Sequence, residues 1–188
     1  MQQNVTILSA FLTDLGELSA LEARESIPVF GKTSCSVLAD EIELAFVQRA
    51  RDAGVELSTD VHPSLPCVTA DARMLQRALM NLIENALRHT SPGGHVTLRG
   101  VPHENGVRIS VEDSGVGISS HDLPKIFHRH YQGRDPTTQT GSAGLGLAIV
   151  HRIIEHHGSS VKVSSEVGTG TIFWFDLRAW NQETSAHS

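Results

Sequence analysis

The chain has 188 residues, 39% of them hydrophobic, which is enough for one domain of ordinary size with a short appendage. Its formal net charge of −6 and the absence of any run of Lys or Arg argue against a nucleic-acid partner. No apolar stretch reaches the about 18–20 residues of a membrane-spanning helix and no signal peptide opens the chain, so we expect no membrane contact by this chain.

An apolar stripe with helical spacing runs through residues 4–24 and predicts one helix there. The stripe consists of Ile7, Leu8, Phe11, Leu12, Leu15, Leu18 and Leu21. Because a single helix cannot bury such a face alone, we expect it to meet another helix or chain, and packing on its own domain is the alternative. Pro28 and Gly31 then mark a domain boundary.

The rest of the chain alternates between helical and extended patterns. Helices are predicted at 37–53, at 71–89 with Asp71 as N-cap, and at 145–157 before Gly158. Strands are predicted at 55–61, 95–101, 106–112, 160–165 and 170–178. Strands joined by short turns, with helices grouped among them, predict an α/β fold, a two-layer sandwich whose mixed, mostly antiparallel sheet packs against about three helices. The expected domain organisation is 1–28 for the N-terminal helix and linker, 29–180 for the main domain and 181–188 for a polar tail.

The helix 71–89 has two contrasting faces. Its apolar stripe, which should face the sheet, consists of Leu75, Leu79, Leu82, Ile83 and Ala86. The opposite side carries Asn81, Glu84, Asn85 and Arg88. Asparagine is a poor helix former, so two on one face are unexpected, whereas an Asn carbonyl oxygen suits Mg²⁺, which takes its other ligands from phosphates and water. This face therefore fits a magnesium-triphosphate site with Arg88 meeting phosphate oxygens, and an ordinary solvated face is the alternative.

Asp113 is predicted to point into the core at the end of a strand. Along 107–111 the apolar residues alternate with polar ones, and Asp113 shares the parity of the apolar set. A buried carboxylate is costly without hydrogen-bond donors, and the exocyclic amine of adenine is a suitable donor. Gly115 and Gly117 remove side chains beside it, which lets a flat ring approach the backbone. A simple turn is the alternative for this motif taken alone.

A polar segment, 132–143, leads into the glycines of Gly144-Leu145-Gly146 just before a predicted helix. Glycines that open a helix can present backbone N–H groups and the positive end of the helix dipole to phosphates. A dinucleotide-binding fingerprint is a poor alternative, because a loop and not a strand precedes these glycines. We expect 132–143 to be a flexible lid over a nucleotide, with Arg134 as its one clear positive charge.

Four short segments in fixed order combine these features. They are Asn81–Asn85, Asp113–Gly117, Ile126–Tyr131 and Gly144–Leu147. Together they resemble the N, G1, F and G2 boxes of the ATP-binding catalytic domain of bacterial two-component sensor histidine kinases, members of the gyrase, chaperone, histidine-kinase and mismatch-repair ATPase superfamily. The resemblance extends over roughly 30–178 and implies the Bergerat-type ATP-binding fold.

The resemblance implies a role for each matching residue. Asn85 matches the Mg²⁺ ligand, and Asp113 matches the carboxylate that reads adenine. Catalytic roles are implied for Asn81, Glu84 and Arg88. Contacts with ATP are implied for Asn85, Arg88, His89, Asp113, Gly115, Gly117, Ile118, Phe127, Tyr131, Arg134, Gly144, Leu145, Gly146 and Leu147. Two positions depart from the family pattern: Gln132 stands where an Arg is frequent, with Arg134 as a substitute charge, and Ser142 replaces a usual glycine.

The implied function is that of a protein-histidine kinase domain. It binds Mg·ATP and donates the γ-phosphoryl group to a histidine on a dimerisation domain that this chain lacks, its own or a partner's, and a response regulator acts downstream. Residues 1–28 then correspond to the C-terminal part of a dimerisation-hairpin helix with its linker. The resemblance also implies a cytoplasmic location, as the catalytic part of a membrane-anchored sensor.

Two alternatives belong to other functional classes. ATPases of the same superfamily place a general-base Glu where this chain has Asn81, which disfavours a water-activating role. A non-catalytic nucleotide-sensing module is disfavoured by the intact set of Asn85, Asp113 and the glycines. The segment His121–Lys125 looks like a phosphoacceptor motif, but it lies within the nucleotide domain, so we expect His121 not to be the acceptor.

Overall fold

The computed structural model describes residues 12, 16, 18–21, 27–129, 131 and 144–181. The α-helices whose bounds lie within them are α1 (Cys35–Ala53), α2 (Ala72–His89) and α3 (Gly146–His156), and a 3₁₀ turn lies at Leu123–Lys125. The strands are β1 (Gly31–Thr33), β2 (Glu56–Val61), β3 (Val68–Ala70), β4 (His95–His103), β5 (Gly106–Asp113), β6 (Lys162–Glu166) and β7 (Gly170–Arg178).

Five strands form one sheet in the order β2-β4-β5-β7-β6. Strand β2 runs parallel to β4, and the other three pairs are antiparallel. Strands β1 and β3 form a separate antiparallel ribbon. The predicted mixed, mostly antiparallel sheet packed against helices is confirmed.

From residue 27 onward the predicted helices and strands are present in the described ranges, with ends shifted by a few residues. Helix α1 begins earlier than predicted because Ser34 is its N-cap, and its hydroxyl accepts the amide of Val37. The prediction missed the β1–β3 ribbon and the 3₁₀ turn. Strands of three residues are too short for a period-two pattern to identify them.

The core lies between the helices and one face of the sheet. The predicted stripe of α2 is buried, with exposed fractions of 3% or less at Leu75, Leu79, Leu82, Ile83 and Ala86. From α3, Ile149 and Ile153 join it, and Phe173 and Phe175 of β7 close it from the sheet side. No helix in the described ranges is long and apolar enough to pass through a lipid bilayer.

The N-terminal segment packs on its own domain at two stripe positions. Residues 12, 16 and 18–21 are helical, as predicted. Leu18 and Leu21 are 1% and 3% exposed within the core, whereas Leu12 is 59% exposed. The expected contact with another helix or chain is therefore wrong for Leu18 and Leu21, because the domain itself buries them. The other stripe positions lie outside the described residues.

Four residues, which we name the linker anchor, join the linker to two helix ends: Val29, Phe30, Asp71 and His157. The Asp71 carboxylate accepts the amides of Arg73 and Met74 at 3.0 and 3.1 Å, which confirms it as the N-cap of α2. Its second oxygen accepts the Val29 amide at 2.8 Å. The Asp71 amide donates to His157 Nε2 at 3.1 Å, and the His157 ring meets Phe30 edge-on at 5.3 Å. The start of α2 and the end of α3 are thereby tied together.

Although burial opposes ionisation, hydrogen bonds from the amides of Val29, Met74 and Arg73 hold the pKa of Asp71 below its usual value of 3.8. A carboxyl whose pKa is lower in the folded state stabilises the fold fully above its unfolded value. That stabilisation disappears as the pH falls through the pKa of Asp71 in the folded state.

We predict that Asp71→Ala lowers the free energy of unfolding by about 1–2 kcal/mol at pH 7, since a cap and a linker contact are lost together. The matched change Ser34→Ala removes a more exposed and longer cap bond of 3.4 Å, and it should cost no more than about 0.5 kcal/mol. Urea unfolding at several pH values provides the measurement. The gap between wild type and Asp71→Ala should shrink below pH 4, and equal costs for the two changes would contradict the role given to Asp71.

Candidate functional site

The predicted inward-pointing carboxylate lies at the end of β5. Asp113 is 6% exposed and faces the core side of the sheet, as the alternation along the strand predicted. One of its oxygens, Oδ1, accepts the amide of Gly115 at 2.9 Å. Across the ladder Asp113 is paired with Thr171 of β7.

Burial is the main cause that raises the pKa of Asp113 above its usual value of 3.8, and the charge of Glu112 adds to it. Hydrogen bonds from the backbone of Gly115 and Thr171 and the charge of His95 oppose the rise without cancelling it. The carboxylate therefore lacks full compensation from the protein. A ligand that donates a hydrogen bond would stabilise its charged form.

The loop after Asp113 is fixed by contacts of its main chain. The Val116 amide donates to the His89 carbonyl at 3.1 Å, which ties this loop to the end of α2. A Cβ on Gly115 would lie 2.4 Å from that carbonyl oxygen, and one on Gly117 would lie 2.1 Å from the Glu166 carbonyl oxygen. Gly117 also has a φ of 70°. The protein's own backbone therefore requires both glycines, in addition to the room for a ring that the sequence suggested.

The polar side of α2 is divided between two environments, which differs from the single face that the helical wheel indicated. Asn81 is only 9% exposed, because the start of α3 covers it: a Cβ on Gly146 would lie 3.8 Å from Asn81 Cγ. Among the described residues, the Asn81 amide nitrogen is buried without a hydrogen-bond partner. A wheel drawn for one helix cannot include a neighbouring helix that arrives from elsewhere in the chain.

Glu84 faces α1. Its carboxylate accepts a hydrogen bond from Arg49 Nη2 at 2.8 Å, and the same oxygen lies 3.8 Å from Arg88 Nη2 one turn later. Arg49 is also placed over the ring of Phe46 at 5.2 Å. The structure thus joins Glu84 to Arg88 through a shared ion pair, and it separates Glu84 from Asn81.

Asn85 and His89 follow Asn81 at successive turns of α2. Both are half-buried, and the His89 carbonyl is the group that contacts the loop after Asp113. Burial and the nearby Arg88 charge lower the pKa of His89, so its ring is neutral at pH 7. The C-terminal half of α2 therefore carries a neutral amide and a neutral imidazole, and its end contacts the loop after Asp113 through the His89 carbonyl.

Helix α3 begins at the glycines that the sequence singled out. Gly144 has a φ of 65°, and Leu145 occupies the N-cap position, where its side chain makes no capping hydrogen bond. Leu145 is 1% exposed, and Gly146 and Leu147 are half-buried. The first-turn amides of α3 thus lack a side-chain cap, which leaves a helix N-terminus suited to an anion next to Asn81.

The aromatic residues of the segment Ile126–Tyr131 pack against the core. Phe127 packs edge-on against Phe173, with the ring centroids 6.3 Å apart. Its ring is tilted against that of His151 on α3, with the centroids 5.4 Å apart. Tyr131 packs against the core, and its hydroxyl, with Ser119 and His121, lowers the pKa of Asp122 to about 2. Both aromatic residues are thus built into the fold beneath α3.

Two polar residues near Asp113 were not predicted. Thr171 is 6% exposed, and its hydroxyl lies 2.9 Å from Ser165 Oγ. Ser165 also accepts the amide of Ile118 at 2.8 Å, which fixes the end of the glycine loop. The sequence could have predicted that Thr171 points inward, because it alternates along β7 in step with the buried Phe173 and Phe175.

Several predicted residues are not tested. Arg134 and the predicted lid 132–143, which includes Gln132 and Ser142, lie outside the described residues. The proposed roles of the remaining residues in ligand contacts stay predictions. The described geometry does join three of the four segments: the loop after Asp113 contacts the end of α2, and α2 contacts the start of α3 at Asn81.

The family model described as histidine kinase-, DNA gyrase B-, and HSP90-like ATPase matches residues 70–181. The sensor histidine kinase RppB of Synechocystis sp. is 34% identical over 171 residues, which cover 90% of this chain and 38% of RppB. The chain spans only 28% to 42% of the length of the most similar curated relatives.

Solved structures show the same fold. Full-length ShkA in complex with AMPPNP superposes with a TM-score of 0.80 at 30% identity, over 92% of this chain and 36% of that chain. The histidine kinase ThkA in complex with the response regulator protein TrrA gives a TM-score of 0.72 at 22% identity, over 95% of this chain and 51% of that chain, which is a likeness of fold. The predicted resemblance and fold are confirmed.

We predict that Asp113 destabilises the protein once it is ionised. Its pKa is raised on folding. The free energy of unfolding should therefore fall as the pH rises from 3.8 to the pKa of the folded state, by about 1.4 kcal/mol for each pH unit between those two values. Asp113→Asn keeps an oxygen acceptor for Gly115 and removes the titration. The difference in stability between the variant and wild type, from urea unfolding, should therefore increase with pH and then level off. A constant difference from pH 3.5 to 7.5 would contradict the raised pKa.

Proposed function

The chain belongs to the family of histidine kinase-, DNA gyrase B- and HSP90-like ATPases, and we propose that it binds Mg·ATP and donates the γ-phosphoryl group to a histidine on a separate dimerisation domain. The observation that carries this proposal is the buried Asp113 at the end of β5, whose charge the protein compensates only in part and whose following loop contacts α2 at the His89 carbonyl. Asp113 would thereby accept a hydrogen bond from adenine, and the loop contact keeps it at a fixed distance from the polar residues of α2.

Adenine recognition is assigned to Asp113 and its surroundings. Oδ1 accepts the Gly115 amide and the Thr171 backbone also donates to the carboxylate, whose remaining lone pairs would accept the exocyclic amine. Thr171 lies opposite on β7 and gives the pocket a second polar group. Gly115, Gly117 and Ile118 would flank the ring, and the fixed backbone of the loop would make the site rigid before the nucleotide arrives.

Phosphate recognition is assigned to the start of α3 and to α2. The uncapped amides that follow Leu145 and the positive end of the helix dipole favour negative charge. The orphaned Asn81 amide beside Gly146 is a donor that a phosphate oxygen would satisfy. Arg88, held by its pair with Glu84, would add a positive charge, and Arg134 is proposed to act from the lid.

The residues present fit a magnesium ion at Asn85. In the described part of the chain no group of three or more His, Cys, Asp or Glu side chains is arranged to hold a metal, so Asn85 would act with phosphate oxygens and water. When bound, Mg²⁺ would neutralise the charge that develops on the transferred phosphoryl group. Asn85 is half-buried on the turn after Asn81, and we propose that its side-chain carbonyl oxygen is the ligand.

A kinase is favoured over an ATPase of the same family by Asn81. Its amide cannot act as the general base that activates water. The nearest carboxylate on α2, Glu84, is paired with Arg49 and Arg88 and faces α1. We infer that Glu84 acts by orienting Arg88, and that the nucleophile comes from another domain.

The partners of the whole protein follow from the family and are proposed here. RppB is named a sensor histidine kinase, and ThkA has been solved with a response regulator protein. We propose a dimerisation domain as phosphoacceptor and a response regulator as the next acceptor. Residues 1–28 are proposed to end the dimerisation-hairpin helix, 29–180 to form the catalytic domain and 181–188 to be a polar tail.

We predict that the chain binds ADP in the presence of Mg²⁺ and that Asp113→Ala weakens this binding by about 5- to 150-fold, equivalent to about 1–3 kcal/mol for unpaired donors. Calorimetry provides the measurement. Ser110→Ala is the control, because Ser110 lies on the opposite face of β5 and does not act on Asp113, and the affinity of this variant for ADP should be unchanged. Tight binding that survives Asp113→Ala would refute the adenine site.

We also predict that the chain alone does not phosphorylate itself on histidine but phosphorylates the dimerisation domain of its own kinase when that domain is supplied. The chain positions the γ-phosphoryl group, and the acceptor has to come from outside. Radiolabelled ATP and acid-labile counts provide the measurement, with His121→Ala as the control that changes nothing. Stoichiometric label on His121 would show the opposite, and release of phosphate without transfer would identify an ATPase.

A further inference from the structure

Two adjacent histidines lie at the end of helix α3, His156 as its last residue and His157 as its C-cap, and both contact residues that precede β1. His156 Nε2 lies 3.2 Å from the carbonyl oxygen of Leu21. His157 is the central member of the linker anchor, with Phe30 on its ring and Asp71 at its Nε2. The nucleotide site uses neither residue. Their contacts lie at the opposite end of α3 from Gly144 and Gly146.

The contacts of His157 define one protonation state. Nδ1 lies 2.7 Å from the Ile153 carbonyl oxygen, which can only accept, so Nδ1 carries a hydrogen. Nε2 lies 3.1 Å from the Asp71 amide, which can only donate, so Nε2 carries none. The ring is therefore neutral. A second proton on Nε2 would place two donors face to face.

We propose that His157 is a proton-operated latch that holds residues 27–30 on the ends of α2 and α3 when it is neutral and releases them when Nε2 is protonated. Protonation of Nε2 breaks the hydrogen bond from the Asp71 amide, so His157 no longer holds Asp71 within the linker anchor. An imidazolium that turned towards the Asp71 carboxylate would compete with the Val29 amide for the same oxygens. Both routes loosen Val29 and Phe30.

The charges that face His157 come from two elements. On α2 the carboxylate of Asp71 attracts an imidazolium, and on α3 the neighbouring His156 repels one. Phe30 of the linker segment brings no titratable group. Burial is the largest effect and lowers the pKa of His157 below 6.5, although the bond from Nδ1 to the Ile153 carbonyl and the charge of the Asp71 carboxylate oppose it.

The direction of the pH effect follows from this lowering. A histidine whose pKa is lower when docked stabilises the docked form fully above its released value, near 6.5. That stabilisation is lost as the pH falls from 6.5 through the docked value. The docking equilibrium should change by about tenfold for each pH unit between the two values.

The test uses backbone amide protection, which reports the anchor directly and needs no nucleotide. In the labelled 188-residue chain, NMR gives protection factors for the amides of Val29 and Asp71 between pH 7.5 and 5, together with the ring signals of His157. We expect both amides to lose protection as the His157 ring titrates, by up to about tenfold for each pH unit between the released and docked pKa values. Ile109 on the central strand β5 should keep its protection, which separates release of the linker from unfolding.

Two glutamine variants complete the experiment. His157→Gln retains an acceptor near Nε2 but cannot titrate, so Val29 should stay protected at low pH. His156→Gln should leave the transition in place. The proposal is overturned if Val29 and Asp71 stay protected while the wild-type His157 ring becomes charged, or if His157→Gln still shows the transition. The wild-type comparison decides the question by itself if His157→Gln does not fold.

Discussion

The antiparallel register of α2 against α3 is the constraint on which the rest of this structure depends. The Asp71 amide meets His157 at one end, and Asn81 meets Gly146 at the other. Helix α2 has 18 residues and α3 has 11, so the last two turns of α2 extend beyond the start of α3. Asn85 and His89 lie on this projecting part, where the loop after Asp113 closes over the His89 carbonyl. One packing register thus decides which polar residues of α2 are covered and which remain available to a ligand.

The sheet contributes the second half of the site through its pairing. Because β5 ends at Asp113 and pairs with Thr171 in register, an inward-facing carboxylate and an inward-facing hydroxyl meet in the core. The cost of burying the carboxylate appears as its raised pKa. Gly115 and Gly117 allow the following loop to pass against two carbonyl groups. Rigid packing and uncompensated charge therefore occur at the same place, as is common where a protein recognises a polar ligand.

The linker anchor connects the far end of the same helix pair to the N-terminal segment. Val29 and Phe30 rest on Asp71 and His157, whereas the glycines at the start of α3 lie beside Asn81. Helices α2 and α3 are stiff, so a displacement at one end of the pair can move the other end. The proposed latch would adjust this connection without touching the groups assigned to the nucleotide.

The sequence by itself determined the helices and long strands, the stripe of α2, the N-cap Asp71 and the inward Asp113, because each of these rests on local periodicity or on a single cap. It did not determine the three-residue strands of the β1–β3 ribbon, the burial of Asn81, the turn of Glu84 towards Arg49, or the seat of Leu18 and Leu21 within the domain. Each of those depends on a neighbour that is distant in the chain. A helical wheel or an alternation pattern gives the direction of a side chain relative to its own element. Only the tertiary structure decides which other element lies in that direction, because packing brings together residues that no local pattern connects.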